Sequence, residues 1–348
     1  MLMNEWQTIN KKLNNGDTFT INNKSMVYHF ADKRIVSSTS PLNGGTTDAL
    51  NSVFNFDETP ESGGWCQMKA ETYEGHLGVI ANELGLERDS TTGLSTTVSI
   101  ENTVILQSEY HGKEIVVFCT AGVDVNAARA GDPAGYDEAT VTADVHKGTI
   151  NLIVSCDVAL PPGSLNRAII TLTEAKSAAL QELVVGSCYS QELATGSGTD
   201  GIIVISNPSS DLTLSNTGAH SKLGEILGRL TKRAVKKALY AQTGLDVLRQ
   251  LNVYERLKRF NIEEMFLLVD TDVLNKPRNV AIASTVAHLI DQISWGLILP
   301  EIALEVSGEV LQLEFEIEEN DLNNVHKVKD FILRGMIQFL VDQSSDDK

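Results

Sequence analysis

A chain of 348 residues, 42% of them hydrophobic and 21% charged, has an ordinary globular composition that excludes wholesale disorder and favours one or two domains. The formal net charge is -18, and its two signs are segregated along the chain. Residues 221–260 hold ten Lys or Arg against three Asp or Glu, whereas residues 261–348 hold six against seventeen. An acidic tail of this size repels phosphate backbones, so we expect no nucleic-acid partner.

A secretory signal has a basic start followed by an apolar stretch, and the N-terminal residues of this sequence lack that layout. We therefore expect a cytoplasmic protein. The longest apolar runs contain polar breaks and are too short for a bilayer span, so we expect no membrane partner. The four cysteines lie more than thirty residues apart and match neither a zinc motif nor a redox pair, so we expect reduced, mostly buried thiols at Cys66, Cys119, Cys156 and Cys188.

The first hundred residues combine short strand-like runs with two helical segments. Alternating or β-branched residues predict strands at 18–21, 25–30 and 34–38. Helices are predicted near residues 47–54 and 73–84. A sheet with at least one helix packed on it is therefore expected in this part of the chain.

The middle of the chain predicts antiparallel pairing. Residues 104–110 and 114–120 are two β-branched runs joined by His111-Gly112-Lys113, which is typical of a hairpin. A third strand is predicted at 149–155. Because no helix separates these strands, we predict an α+β fold with a mixed, largely antiparallel sheet and packed helices, of which an αββα sandwich is one form. A doubly wound parallel fold is the alternative.

Two long helices flank a further predicted strand. The spacing of Thr171 and Glu174 is that of a capping box, and Gly186 marks the expected end of that helix. A strand follows at 202–206. Ser221 then opens a helix with an apolar face and a basic face. The basic face is either a solvated helix surface or a phosphate-binding surface, and the first is the more common.

The acidic C-terminal part has regular patterns of its own. Residues 311–318 alternate between apolar and acidic side chains, which predicts a half-buried strand, and apolar residues at helical spacing follow at 325–339. We predict two domains, residues 1–261 and an acidic module at 262–348. The role of the module is open, and an oligomer contact between copies of the chain is one candidate.

The sequence GSGTDG matches the glycine spacing of a dinucleotide-binding fingerprint at Gly196, Gly198 and Gly201. That fingerprint requires a strand before the glycines and a helix after them, so that the pyrophosphate meets helix amides. Here a strand is predicted directly after the glycines, so nicotinamide binding is disfavoured.

Chemistry is instead concentrated in clusters of Gly, Ser, Thr and Asn at predicted strand ends. Each cluster alone is compatible with simple turn chemistry, because Gly and Asn accept positive φ and hydroxyls satisfy loop amides. The clusters are Asn43–Gly45, Thr120–Asp132, Gly148–Asn151, Ala194–Asp200 and Asn216–His220.

Together and in this order, the clusters resemble the adenosylcobinamide amidohydrolase family of corrinoid salvage. The shared sequences are SSTxPLNGG, TAGVxVNAARAGD, GTIN, a helix containing Ala175-Lys176, ATGSGTD and GAHSKLGE. The resemblance covers roughly residues 25–260 and leaves out the acidic module. Ser197 stands where the family commonly has threonine, so the hydroxyl is retained.

The resemblance implies hydrolysis of the amide that joins aminopropanol to the corrin ring, with adenosylcobyric acid as the product. Asp200 and His220 are the candidate acid and base, although a histidine before a helix is as often a capping or packing residue. Thr195 and Ser197 are further catalytic candidates, and the amides of 195–199 suit an oxyanion. The candidate substrate-binding residues are Asn43, Gly44, Gly45, Asn126, Arg129, Asp132, Asn151, Gly196, Gly198 and Thr199.

Two other functions stay open at this stage. One is a non-catalytic corrinoid-binding protein, and the other is an enzyme for a phosphate-bearing ligand that uses the basic helix. The histidines show no partner spacing typical of a metal site, so we expect no protein-bound metal or cofactor, with cobalt arriving only in the corrinoid substrate.

Overall fold

The computed structural model describes residues 8–60, 66–134, 137, 139, 148–260, 271–299 and 302. The chain divides into two compact units. The first unit comprises residues 1–185 and 194–245, and the second comprises residues 186–193 and 246–348. The predicted domain boundary between residues 261 and 262 lies outside the described residues and stays a prediction.

The first unit consists of short strands and three longer helices. Its strands are β1 (Ile9–Lys12), β2 (Thr18–Ile21), β3 (Ser25–His29), β4 (Ile35–Ser38), β5 (Gly45–Thr47), β6 (Ser52–Asp57), β7 (Thr91–Thr96), β8 (Val104–Tyr110), β9 (Lys113–Ala121), β10 (Ala127–Ala128), β11 (Ile150–Cys156), β12 (Gly196–Ser197) and β13 (Gly201–Ser206). Its helices are α1 (Tyr73–Glu83), α2 (Pro162–Glu182) and α3 (Lys222–Thr243).

Two larger sheets and one small ladder organise these strands. The first sheet has the order β1-β2-β3-β6-β7, and the second has the order β5-β4-β13-β11-β9-β8. Each of these two sheets contains one parallel pair, β6 with β7 and β11 with β13, and is otherwise antiparallel. The ladder of β10 and β12 links two loops. The predicted mixed, largely antiparallel architecture is confirmed.

The hydrophobic core lies in three layers between four layers of secondary structure. Phe19, Tyr28 and Phe118 belong to the cluster between the two larger sheets. The other face of the second sheet packs on α2 and α3. The other face of the first sheet packs on α1, through a cluster that includes Phe54 and Leu77. The first unit is therefore an αββα sandwich, because each sheet buries both of its faces.

Local signals in the sequence explain several of these elements. His111 and Gly112 have φ values of 50° and 74°, as a two-residue hairpin turn requires, and they join β8 to β9. Ser221 caps α3 by accepting a hydrogen bond from the Gly224 amide, and Gly244 ends it with a φ of 70°. The predicted hairpin and the predicted helix start at Ser221 are confirmed.

Two predicted helix features are wrong. The segment predicted as a helix at 47–54 forms parts of β5 and β6, because β6 is buried between β3 and β7, and ladder pairing outweighs local preference. The capping box at Thr171 does not start α2, which begins at Pro162, where proline is favoured in the first turn. Thr171 lies inside the helix, and its hydroxyl donates to the Thr217 carbonyl.

The described part of the second unit combines helices with turns and with a bridge between Gly186 and Leu193. It contains α4 (Val253–Leu257), α5 (Thr271–Leu274) and α6 (Pro277–Ser294), and α4 packs on α6. Arg259 and Asp291 form a buried ion pair with an Nη1 to Oδ1 distance of 2.7 Å. The predicted strand at 311–318 and helix at 325–339 lie outside the described residues. No helix in the described ranges combines the length and apolarity needed to cross a membrane.

Candidate functional site

Three polar loops meet at one end of the second sheet. The register pairs Ile150 with Ala121 and Asn151 with Gly201. Since β9 runs antiparallel to β11, the end of β9 lies beside the starts of β11 and β13. The loop at 122–132, the Gly148–Asn151 segment and the Ala194–Asp200 segment are therefore brought together, as their shared polar character predicts.

Asp200 lies at the centre of these loops. Its carboxylate accepts hydrogen bonds from Ser197 Oγ at 2.6 Å, from the Ser197 amide at 3.0 Å and from the Ile150 amide at 3.0 Å. Lys176 from α2 completes the set with an ion pair to Oδ2. The side chains of Lys176 and Asp200 are only 8% and 11% exposed. We call Lys176, Ser197 and Asp200 the Asp200 cluster.

The glycine before Ser197 is needed for this arrangement. A Cβ atom on Gly196 would collide with Asp200 Oδ2 and would lie 2.6 Å from Lys176 Nζ. Gly196 and Ser197 also pair with Ala127 and Ala128 in the small ladder, so the backbone of this loop is held on both sides. The close approach of backbone to the ion pair explains why glycine stands here.

The other predicted residues of the Ala194–Asp200 segment mostly tie loops together. Thr195 donates its amide to the Ala128 carbonyl, and its hydroxyl accepts from the Ala130 amide. The Thr199 amide donates to Ser197 Oγ at 3.3 Å. The Ser197 amide donates to Asp200 Oδ2. The amides of Thr195, Ser197 and Thr199, which lie in the expected oxyanion segment, therefore already donate hydrogen bonds within the protein. Gly198 lies exposed at the tip.

Asn126 and Thr199 connect the loops around Gly148. Asn126 is buried, and its Nδ2 donates to the Gly148 carbonyl at 2.7 Å and to Thr199 Oγ1 at 3.4 Å. Thr199 Oγ1 donates to the same carbonyl at 3.0 Å. Arg129 and Asp132 lie in the same loop, where the Arg129 amide donates to Asp132 Oδ2 at 2.7 Å. The predicted residues of 126–132 therefore lie together with the Asp200 cluster in one set of connected loops.

Asn151 is buried between the sheets. Its Nδ2 donates to Asn55 Oδ1 and to the Ser95 carbonyl, both at 2.8 Å. Asn55 in turn donates to Thr120 Oγ1 at 2.9 Å. Asn151 is 2% exposed, so its contacts couple the two sheets beneath the loops.

Asn43, Gly44 and Gly45 lie elsewhere. Asn43 has a φ of 48°, and its Nδ2 donates to the carbonyls of Arg88 and Thr91, before and at the start of β7. The polar loops contact the opposite end of that strand, because the Gly148 amide donates to Thr97 Oγ1. In the second sheet the turn lies two strands from β13, because Gly45 pairs with Ser38 and Ser38 pairs with Ile203, three residues after Asp200.

His220 is not among the hydrogen-bond and ion-pair partners of Asp200. It is exposed and lies just before the Ser221 cap of α3. The same turn contacts the start of α2, where Thr217 Oγ1 donates to the Ser164 carbonyl. Thr217 also contacts Thr171, which lies five residues before Lys176 on α2, about 7.5 Å along its axis. The role of His220 stays a prediction.

A second cluster of titratable groups lies on the α1 side of the first sheet. Glu58 follows β6, and its carboxylate accepts from Cys66 Sγ at 2.7 Å and from His76 Nε2 at 2.9 Å. The Lys69 amide donates to His76 Nδ1 at 2.9 Å, which places the proton of a neutral ring on Nε2. The side chains of His76 and Glu58 are 1% and 3% exposed. We call Glu58, Cys66 and His76 the Glu58 cluster.

A cavity of about 660 Å³ adjoins the Glu58 cluster. It belongs to the same end of the first unit as the polar loops, since Thr59 Oγ1 donates to the Thr97 carbonyl and Thr97 Oγ1 accepts from Gly148. The residues that line it are Lys24, Phe56, Asp57, Glu58, Thr59, Pro60, Cys66, Gln67, Lys69 and His76.

Burial and hydrogen bonds shift the proton affinities in the Glu58 cluster. Burial tends to raise the pKa of Glu58, but hydrogen bonds from His76, Cys66 and Ser95 outweigh it and hold the pKa below its usual value. Burial, together with the neighbouring Glu58, raises the pKa of Cys66 to about 12. Burial also raises the pKa of Tyr73 to about 12. At neutral pH the cluster therefore combines a carboxylate with a neutral thiol.

Sequence reasoning missed Lys176 as a site residue and missed the Glu58 cluster entirely. The Ala175-Lys176 pair was recognised as part of the family pattern, and a lysine on the apolar face of α2 was the available signal for a buried ion pair. Glu58, Cys66 and His76 have no spacing typical of a ligand set, and only the packing of α1 beside the end of β6 brings them together. Of the four cysteines, Cys119 and Cys156 are buried, Cys66 is half-buried and Cys188 is exposed, and none of the four forms a disulfide.

The match to a protein-family model agrees with the family pattern. A sequence model described as adenosylcobinamide amidohydrolase matches residues 8–246. An uncharacterized protein of Methanocaldococcus jannaschii is 34% identical over 191 residues, which cover 51% of this chain and 74% of that protein. The PH0078 protein from Pyrococcus horikoshii OT3 matches with 12% identity and a TM-score of 0.33 over 68% of this chain and 83% of its own. A Burkholderia sp. beta-aminopeptidase matches with 13% identity and a TM-score of 0.32 over 68% of this chain and 81% of its own.

Proposed function

Since the chain belongs to the adenosylcobinamide amidohydrolase family, we propose that it hydrolyses the amide that links aminopropanol to the corrin ring of adenosylcobinamide, giving adenosylcobyric acid. The family match over residues 8–246 is the observation that carries the proposal. It includes the whole Asp200 cluster and all the polar loops around it. The adenosylcobinamide amidohydrolase type of activity follows from the family, and the particular substrate and products are our proposal.

The Asp200 cluster supports this proposal because it has the parts that amide hydrolysis needs. A nucleophile requires a base within hydrogen-bond reach and a third group that orients the base. Ser197 Oγ lies 2.6 Å from Asp200 Oδ1, and Lys176 holds the other carboxylate oxygen. Ser197 is partly exposed, whereas Lys176 is buried, so the hydroxyl is the accessible member of the cluster.

We assign the attack to Ser197. Its oxygen adds to the amide carbonyl carbon as Asp200 accepts the hydroxyl proton, and the carbon–nitrogen bond then breaks as aminopropanol leaves with that proton. Water hydrolyses the resulting ester, releasing the corrinoid acid and restoring the hydroxyl. The ion pair with Lys176 holds the second carboxylate oxygen of Asp200 in place while the first accepts the proton.

The phosphate-ligand alternative receives less support from the basic helix. Lys232 and Lys236 of α3 both pair with Glu182, and Lys222 and Arg229 both pair with Glu225. Much of the basic face is thus matched by carboxylates of the same unit, as expected of a solvated helix surface. A non-catalytic corrinoid-binding protein remains the rival that an activity measurement has to separate.

The test is incubation of the full chain with adenosylcobinamide, followed by chromatography and mass spectrometry of the corrinoid and the amine. The proposal predicts adenosylcobyric acid and aminopropanol in equal amounts, formed over many turnovers. A corrinoid-binding protein would bind adenosylcobinamide and return it unchanged. That result, obtained with folded protein, would overturn the proposed function.

A further inference from the structure

The Glu58 cluster contains a carboxylate whose side chain is only 3% exposed. Both carboxylate oxygens of Glu58 accept hydrogen bonds, one from a thiol and one from a ring N–H, as an ionised carboxylate does. Among the described residues, no Lys or Arg forms an ion pair with Glu58. Charged groups this deeply buried are normally paired or coordinate a metal.

The nearby lysines are engaged elsewhere. Lys24 Nζ donates to the Thr59 carbonyl and lies 4.0 Å from Asp57 Oδ2. Lys69 Nζ pairs with Glu83 of α1. Asp57 is 6% exposed and is the carboxylate that Lys24 approaches. Neither of these two lysines therefore pairs with Glu58.

We propose that Glu58, Cys66 and His76 bind a divalent transition-metal cation of the zinc class, with an open coordination position towards the adjoining cavity. One Sγ, one ring nitrogen and one carboxylate oxygen lie within 4.8 Å of one another. The inference goes beyond the proposed function and does not rest on it. It also departs from the expectation, drawn from histidine spacing, that the chain holds no metal.

The donor set selects the class of cation. Zinc takes thiolate, imidazole and carboxylate ligands, whereas calcium and magnesium take oxygen ligands and reject a thiol. Three protein ligands leave the fourth position of a tetrahedral ion free, which is the arrangement of catalytic rather than structural zinc sites. The cavity of about 660 Å³ beside the three side chains has room for water or a small ligand at that position.

Loading the site exchanges protons for the cation. The Cys66 thiol must release its proton to bind as thiolate, so metal uptake releases at least one proton. His76 must free Nε2, which moves its ring proton to Nδ1, where the Lys69 amide now donates. The Lys69 amide must therefore withdraw from the ring when the metal binds. This change of tautomer separates a metal site from a cluster that is only hydrogen-bonded.

The experiment uses the full chain, stripped with a chelator and then titrated with Zn²⁺ alone and with Co²⁺ alone. Bound metal is counted by elemental analysis, and thiolate ligation is read from the thiolate-to-Co²⁺ charge-transfer absorption. We expect one equivalent of metal, a thiolate band, and a shift of the His76 proton from Nε2 to Nδ1 in ¹⁵N NMR spectra. Since loss of an outer-shell partner already costs about tenfold to a hundredfold in affinity, loss of a ligand should cost at least a hundredfold.

Cys66→Ala is the decisive variant, because Cys66 is half-buried and its removal does not open the core. Cys188→Ala is the matched control, since Cys188 is the exposed cysteine. The band should vanish in Cys66→Ala and persist in Cys188→Ala. Stoichiometric binding that survives Cys66→Ala, or no binding by the wild-type chain, would overturn the proposal. Neither readout uses the corrinoid. The metal-site proposal can therefore be wrong while the proposed amidohydrolase function is right, and the proposed function can be wrong while the metal site is right.

Discussion

Asp200 and Glu58 are two largely buried carboxylates in the same unit, and they differ in whether a lysine pairs with them. Asp200 has an internal cation in Lys176 and two backbone amides besides the Ser197 hydroxyl. Glu58 has hydrogen bonds from a thiol, an imidazole N–H and Ser95, and no Lys or Arg of the described residues pairs with it. The comparison shows that hydrogen bonds alone can satisfy the lone pairs of a carboxylate while leaving its charge without a counterion. A buried charge without a counterion indicates where an external cation is expected to bind.

The largest expected effect comes from removing the internal cation. Lys176→Met leaves Asp200 charged and buried without its partner, which should lower the free energy of unfolding by about 3–5 kcal/mol. Asp200→Asn added to Lys176→Met should restore part of this loss, because the uncompensated charge is gone. Denaturant unfolding of the two single variants and the double variant measures the coupling.

The control for that cycle is an exposed pair. Lys232→Met removes a surface contact to Glu182 and should cost no more than about 1 kcal/mol. Similar losses from Lys176→Met and Lys232→Met would contradict the view that Asp200 depends on an internal counterion.

The second effect tests the other carboxylate. Zn²⁺ that binds only the folded chain should raise the free energy of unfolding by about 2.7 kcal/mol at a free concentration a hundred times its Kd. The same addition should leave Cys66→Ala unchanged. Thermal unfolding with and without Zn²⁺ measures the difference, and equal stabilisation of both proteins would place the metal elsewhere.

A smaller effect is expected from the glycine beside the ion pair. Gly196→Ala inserts a Cβ atom against Asp200 and Lys176 and should cost about 1–3 kcal/mol through overpacking. Gly228 of α3 is the matched position, since a Cβ atom there meets no atom within 4 Å. Gly228→Ala should stabilise the helix by up to about 1 kcal/mol. Equal free energies of unfolding for the two variants would contradict close packing of Gly196 against Asp200.

The smallest effect is expected at His220. Because it is exposed and lies at the start of α3, His220→Ala should change stability by no more than about 0.5 kcal/mol. Because His220 is not among the hydrogen-bond and ion-pair partners of the Asp200 cluster, turnover should also fall by less than the roughly hundredfold cost of losing a general acid or base. A larger loss of turnover in a folded variant would indicate that His220 is a catalytic residue, as the sequence predicts.

Features that depend on a few neighbouring residues were predictable from the sequence. The start of α3 follows from Ser221, and the hairpin follows from the two residues between β8 and β9. The polar loops were predictable too, because strand ends of one sheet meet at shared edges. The prediction at 47–54 failed because the register of β6 between β3 and β7 is a property of the whole sheet.

The two carboxylate environments were beyond local reasoning. Lys176 lies twenty-four residues before Asp200 in the chain, and it reaches Asp200 only because α2 packs across the second sheet. His76 reaches Glu58 only because α1 packs on the first sheet beside the end of β6. The sequence shows which side chains can bear charge, but the counterion of each is decided by packing between distant elements.

The most direct test of the account is to measure turnover of adenosylcobinamide and melting temperature on the same preparations of the wild-type chain and Ser197→Ala. Loss of one partly exposed hydroxyl should cost about 1 kcal/mol of stability. Loss of the attacking group should lower turnover by roughly a hundredfold or more. Ser209→Ala, an exposed serine away from the polar loops, should behave like the wild type. Full turnover by a folded Ser197→Ala protein would contradict the assignment of the chemistry to the Asp200 cluster.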